Sequence, residues 1–218
     1  MIKKSLLYFL FIFVSGMLGG VLAGQIFFKA PVTVTERQEV KIQENTALQE
    51  AVAKVSKSVV GVKTAGSLEG SAMIMTNDGL IVTLSDLLPP GEKFSFWYEN
   101  AAQSYQVLKR DAQANLALVK MDKGGLSTTG LADFETLKLG QRVFLVGYDF
   151  KTNGYLVNEG IIRKLGSGVL QTTIVEKASL QGSPVFDVEG NLVGLAVIGK
   201  DGLVSAVPVS EIKAFVGF

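Results

Sequence analysis

Gly70-Ser71-Ala72-Met73-Ile74-Met75-Thr76-Asn77-Asp78-Gly79-Leu80-Ile81-Val82-Thr83-Leu84-Ser85-Asp86-Leu87-Leu88 is the stretch that decides the fold. Two short apolar runs flank Asn77-Asp78-Gly79, the pattern of a β-hairpin closed by a turn that glycine permits. Period-two runs continue on either side. They cover Ser58–Thr64, Ser71–Met75, Leu80–Thr83, Lys93–Tyr98, Gln103–Lys109 and Leu116–Met121, then Arg142–Tyr148, Gly154–Leu165, Val169–Thr173, Ser183–Phe186, Leu192–Ile198 and Leu203–Pro208. Glu189-Gly190-Asn191 and Lys200-Asp201-Gly202 punctuate them as turns. About a dozen short strands with tight turns predict an all-β barrel or sandwich. Asp122–Leu137, carrying Gly124, Gly125 and Gly130, has no strand character and is expected to join two six-stranded halves, residues 58–121 and 138–208. In the aromatic strand, Phe94, Phe96 and Tyr98 fall on one face as expected core, with Trp97 opposite.

Short helices are expected at both ends of this domain, residues 46–218. Leu48, Val52 and Val55 share a helical face behind Thr46 as N-cap, and Ser210 would cap a last helix through Val216. Before the domain, residues 29–45 are polar, aperiodic and read as a linker. From Ser5 to Phe28 no residue is charged. As a helix this run would span roughly 36 Å, enough for a bilayer core of about 30 Å. Lys3 and Lys4 precede it, which places the N-terminus in the cytoplasm and the folded domain outside. Residues 1–28 are therefore expected to be a single-pass anchor. The competing reading is a signal peptide cleaved after Val21-Leu22-Ala23, which would leave a secreted domain. Gly16, Gly20 and Gly24 recur every four residues, a spacing that lets membrane helices approach and form a homo-oligomer.

Composition removes several classes of chemistry. The 218 residues include no histidine and no cysteine, which excludes imidazole bases, thiol nucleophiles and thiolate metal sites. No cofactor and no metal is expected. Without Lys3 and Lys4, the remaining 19 basic residues stand against 20 acidic ones, too balanced for a nucleic-acid partner.

Three segments, taken in order, resemble the trypsin/chymotrypsin superfamily, and within it the bacterial HtrA/Deg-type proteases. Gly70–Leu88 is similar to the family's GSGxIIxxDGxIVTNxHVV hairpin, with Asp86 at the place of the general-base histidine. Asp111-Ala112-Gln113-Ala114-Asn115-Leu116-Ala117-Leu118-Val119-Lys120-Met121 resembles DxxxDLALLKI, with Asn115 where the orienting aspartate would be. Ser179-Leu180-Gln181-Gly182-Ser183-Pro184-Val185-Phe186-Asp187, followed by Gly190, Asn191 and Val193-Gly194-Leu195, resembles GxSGSPVFDxxGxxVGL, with Gln181 at the nucleophile and Ser179 at the oxyanion-loop glycine. Leu137–Tyr148, Glu159–Ile162 and Ser205–Pro208 match further family strands, so the resemblance covers about residues 47–217. It implies a chymotrypsin-like double six-stranded β-barrel and a peptide-accepting cleft lined by Asp86, Gln181, Ser205, Ala206 and Val207.

The substitutions speak against the family's chemistry. A carboxylate is a weak base at neutral pH and does not shuttle protons as imidazole does. The Asn115 amide cannot stabilise an imidazolium, and the Gln181 amide is no nucleophile. A side chain at Ser179 is expected to hinder an oxyanion hole. The expectation is thus a membrane-tethered pseudoprotease that binds protein or extended peptide, the latter by strand addition to Leu203–Pro208. Two alternatives stay open. One is a weak serine-type peptidase using Ser183 or Ser179 with Lys177; the other is a structural, oligomerising membrane protein. Asp86, Asn115 and Gln181 are also expected either to form a hydrogen-bonded trio or to satisfy local backbone groups separately.

Overall fold

The computed structural model describes residues 2–27, 46–166 and 168–218, with side chains along the first helix described for residues 8–20. The chain divides into two compact units, Met1–Gln43 and Glu44–Phe218. The first contains α1, Ile2–Phe27, along which Phe9, Phe11 and Met17 are exposed. Among the described residues no helix is long and apolar enough to cross a membrane. The expected anchor also takes in residues 1–7 and 21–28, whose side chains lie outside the described residues, as does the expected linker from 29 to 45.

The second unit opens with α2, residues 46–55. Ala51 and Val55 are buried there, and Leu48 and Val52 pack beside the core, as the helical spacing requires. Thirteen strands follow. The first seven are β1 (Val59–Thr64), β2 (Glu69–Ile74), β3 (Leu80–Leu84), β4 (Phe94–Tyr98), β5 (Ala101–Gln103), β6 (Tyr105–Asp111) and β7 (Leu116–Met121). They form a seven-stranded sheet in the order β5-β4-β1-β2-β3-β7-β6. The remaining six are β8 (Arg142–Asp149), β9 (Gly154–Gly166), β10 (Val169–Val175), β11 (Pro184–Asp187), β12 (Leu192–Ile198) and β13 (Leu203–Pro208). These close into a barrel, β10-β13-β12-β11-β8-β9.

The all-β reading holds, but the first half corrects the expected pair of equal barrels. It has seven strands, because Glu99 and Asn100 turn the chain back at Tyr98 and create β5, which pairs with β4 from Phe96↔Gln103 to Tyr98↔Ala101. Residues 122–137 contain no strand beyond an isolated bridge, Leu131↔Leu192. The last helix, α3, runs Val209–Val216 behind Pro208, with no side-chain cap. Ser210 therefore sits inside the helix instead of capping it.

Core positions follow the alternation. Phe96, Phe144 and Phe186 are fully buried, each contributing about 1.5–3 kcal/mol relative to exposure. Phe144 and Phe186 lie 5.5 Å apart on the paired strands β8 and β11. Trp97 faces the other way, as expected, with its ring edge-on to Phe150 at 6.3 Å. The two halves are joined by buried hydroxyls. The Ser71 Oγ on β2 accepts from the Tyr148 N–H on β8 at 2.9 Å and from the Ser183 Oγ at 3.1 Å.

Candidate functional site

The hairpin β2–β3 delivers Asp86. After Leu84 the chain makes a short 3₁₀ turn, Ser85–Leu87, which buries Leu87 and leaves the Asp86 carboxylate exposed. Asn115 arrives from β6–β7. The Asp111 Oδ1 accepts from the backbone N–H of Gln113 at 2.9 Å and of Ala114 at 3.0 Å, an Asx-type turn that aims the chain back toward β3. Asn115 then adopts φ +52°, a conformation asparagine tolerates better than most residues.

Those two segments meet in a reciprocal pair. The Asn115 Nδ2 donates to the Asp86 Oδ2 at 3.0 Å, and the Asp86 backbone N–H donates to the Asn115 Oδ1 at 3.0 Å. Both faces of the amide are thereby used. A carboxylate whose neighbour is a neutral amide has a donor to orient it but no acid partner with which to exchange a proton.

Gln181 comes from the loop before β11. Ala178–Leu180 forms a 3₁₀ turn, and the Gln181 N–H closes it on the Ala178 carbonyl at 3.1 Å. The Gln181 carbonyl then accepts from the Ser71 N–H at 2.8 Å, which ties the loop to β2. Gly182 has φ +72°, and a Cβ there would lie 2.5 Å from the Ser71 carbonyl and 2.9 Å from Leu87. Only glycine fits this approach without a shift. The loop, the hairpin and the Asp86 turn are thus packed together through Ser71, Leu87 and Gly182.

The Gln181 side chain nevertheless turns away from Asp86. Its Nε2 donates to the Ile198 carbonyl and its Oε1 accepts from the Ile198 N–H, both at 3.0 Å. One primary amide imitates a peptide group and extends the pairing of β12 beyond Ala196, whose N–H and carbonyl bond Ser183 and Gly182. Of the two arrangements left open, each therefore holds in part: Asp86 and Asn115 come together, and Gln181 satisfies backbone. Ile198 could not be picked out as its partner from sequence, because the bond spans 17 positions and depends on how the loop packs.

The other candidates settle differently. Ser179 is exposed on the turn, and Ser183 is fully buried with its hydroxyl bonded to Ser71. Lys177 is exposed, so the alternative Ser183–Lys177 dyad is not assembled: the hydroxyl lies in the core and the ammonium in solvent. Ser205, Ala206 and Val207 lie on β13, which pairs with β10 through Leu170↔Ala206 and with β12 through Leu195↔Val207. Strand addition to Leu203–Pro208 is corrected by this closure, since both neighbouring places are taken. Among the described residues, no cluster of His, Cys, Asp or Glu is arranged to hold a metal ion.

Comparisons with known proteins agree with this architecture. A family model described as a trypsin-like peptidase domain matches residues 70–195. A probable periplasmic serine endoprotease, DegP-like, of Rhizobium meliloti is 29% identical over 161 residues, covering 66% of this chain and 32% of the relative. Its counterpart in Halomonas elongata is 25% identical over 134 residues, covering 58% of this chain and 28% of the relative. The chain thus spans less than a third of the length of these two relatives. Among solved structures, the HtrA-type protease AlgW with a decapeptide superposes with TM-score 0.70 at 19% identity, over 78% of this chain and 66% of that one. A serine endoprotease from Yersinia pestis superposes with TM-score 0.71 at 22% identity, over 78% and 65%. At such identities these two likenesses bear on the fold alone.

Proposed function

This chain belongs to the trypsin-like peptidase domain family, and on that premise we propose that it is a non-hydrolysing member that holds extended peptide or protein segments. The carrying observation is the Gln181 amide, which stands at the nucleophile's place with both polar ends bonded to Ile198. Two further features support the reading. The Gln181 N–H is spent on the Ala178 carbonyl, so the loop lacks that donor for a developing oxyanion. Asp86 has Asn115 as its side-chain partner and, among the described residues, no hydrogen-bonded group that could relay a proton.

Peptide is proposed to lie beside Asp86 and Gln181. The exposed Asp86 carboxylate would receive a basic group, and Ser205 would add polar surface from the barrel. Gln181 holds the outward N–H and carbonyl of Ile198, the groups that an added strand would use. The bound amide therefore competes with the peptide. Sequence alone supports the rest of the reading: an anchor over residues 1–28, association through Gly16, Gly20 and Gly24, and a folded domain on the extracytoplasmic side.

The test pairs turnover with binding on the purified full chain. Fluorogenic casein should show no cleavage above background, and a fluorophosphonate probe should not label the protein. Labelled unfolded casein should bind saturably by fluorescence anisotropy, and Gln181→Ala should tighten it about three- to tenfold by releasing Ile198. Casein cleavage abolished by Ser183→Ala or Ser179→Ala would defeat the non-hydrolysing reading. Absence of saturable binding in both wild type and Gln181→Ala would defeat the peptide-holding one.

A further inference from the structure

Away from Asp86 and Gln181, a pocket of about 290 Å³ opens between the β4–β5 turn and the β8–β9 hairpin. Tyr98, Tyr148 and Tyr155 line it together with Glu99, Asn100, Asn153 and Lys57. Tyr98 and Tyr148 are buried, whereas Tyr155 is 41% exposed. The volume falls just below the usual range of ligand pockets, about 300–1,000 Å³, and suits a single ring.

Its hydrogen-bond inventory is uneven. The Tyr98 hydroxyl donates to the Lys57 carbonyl at 3.2 Å, that of Tyr148 to the Asn100 Oδ1 at 3.1 Å, and that of Tyr155 to the Val59 carbonyl at 3.4 Å. Each phenol thus spends its only proton inside the protein and keeps its oxygen lone pairs as acceptors. Burial pushes the pKa of all three upward, that of Tyr155 to about 12, so the phenols stay neutral. Donors come from elsewhere: the Lys57 ammonium and the Asn153 amide have no partner among the described residues.

Charge decides between ligand classes. Glu99 is paired to Lys123 at 2.7 Å, and the same ammonium sits 4.7 Å over the Tyr98 ring. An organic cation would therefore find the Tyr98 face already taken by an ammonium and Lys57 opposing it. An anion would face three phenol oxygens and a carboxylate. A neutral ligand that both gives and accepts hydrogen bonds, and offers an apolar ring face, meets neither penalty.

Backbone strain gathers at the same rim. Glu99, Asn100 and Asn153 have φ of 51°, 60° and 50°, three of the five non-glycine residues with positive φ among the described residues. Glycine would relieve a two-residue turn at Glu99–Asn100. Here the turn keeps side chains that ion-pair with Lys123 and receive the Tyr148 hydroxyl. Strain of this kind gathers where side chains serve a site.

We propose that this pocket is a carbohydrate site that takes one pyranose ring of a neutral glycan, stacked on Tyr155 and hydrogen-bonded by Asn153, Lys57 and the phenol oxygens. The experiment is saturation-transfer NMR on the full chain in a detergent without a sugar head group, with N,N′,N″-triacetylchitotriose as the probe. Saturable binding in the millimolar range or tighter is expected. Tyr155→Ala should weaken it at least about tenfold, and Asn153→Ala about threefold or more. Tyr155→Phe keeps the stacking ring and should fall between wild type and Tyr155→Ala, while Lys200→Ala, outside the pocket, should change nothing. No saturable transfer up to about 10 mM would overturn the assignment. So would equal affinity in Tyr155→Ala, or displacement of the glycan by equimolar tetramethylammonium or phosphate.

Discussion

The two walls of the candidate site are built in opposite ways. The wall carried by the seven-stranded sheet ends in the exposed Asp86–Asn115 pair, two side chains that bond mainly each other. The wall carried by the closed barrel is a backbone wedged in place, with Gly182 against Ser71, Ser183 buried, and the Gln181 amide sewn into β12. The difference shows where this fold tolerates new chemistry. Side chains at Asp86 and Asn115 can change with little cost to packing, whereas the path of the Gln181 loop is set by contacts that leave no spare volume.

Substitutions on each wall should bring out that contrast. The largest effect is expected at Phe186, within β11 directly after the loop, where Phe186→Ala empties a fully buried site and should cost about 3–5 kcal/mol in urea unfolding. Gly182→Ala should cost about 2–3 kcal/mol, because it combines a left-handed φ with a Cβ 2.5 Å from the Ser71 carbonyl. Ser71→Ala should cost about 1–2 kcal/mol by leaving the buried Tyr148 N–H without its acceptor.

On the sheet wall the costs should be smaller and should depend on pH. Asn115→Asp replaces a donor with a second carboxylate facing Asp86 and should destabilise by about 1 kcal/mol at pH 7. The facing carboxylates raise each other's folded-state pKa. Stability is therefore retained at low pH and lost as pH rises through that raised value, which a urea series from pH 4 to 7 would reveal. A cost as large as that of Gly182→Ala would break the contrast between the walls.

The smallest effect concerns Tyr155, whose phenol is pushed up to about 12 by burial. Its neutral form contributes stability that is complete below an ordinary tyrosine pKa of about 10 and is lost as pH rises toward the folded value. Because Tyr155 is 41% exposed, water screens the effect to well under ~1.4 kcal/mol per pH unit. Tyr155→Phe should flatten this part of the alkaline unfolding curve.

Much of the fold could be read from residues in order. β7, β12 and β13 match their predicted bounds, because continuous branched and apolar runs between turn residues leave little freedom in where a strand starts and stops. β5 went unseen, since Ala101-Ala102-Gln103 has no strand signature and pairs only because the Glu99–Asn100 turn folds it onto β4. Motif spacing singled out Asp86, Asn115 and Gln181, but left open whether they bond one another or separate backbone groups; the Asp86–Asn115 pair came only with the fold. So did the destination of Gln181. The tyrosine pocket was hidden for the same reason, its three rings lying on strands from different halves of the domain.

By itself the sequence determined the strand grammar, the turns, and the lack of any imidazole or thiol, since these depend on residue type and spacing within a few positions. Tertiary structure alone decided that the barrel closes over β13, that Ser183 is buried, and that Gln181 bonds Ile198 while Asp86 bonds Asn115. A side chain's partner is chosen by whatever the folded chain brings within about 3 Å, and those neighbours come from distant parts of the sequence.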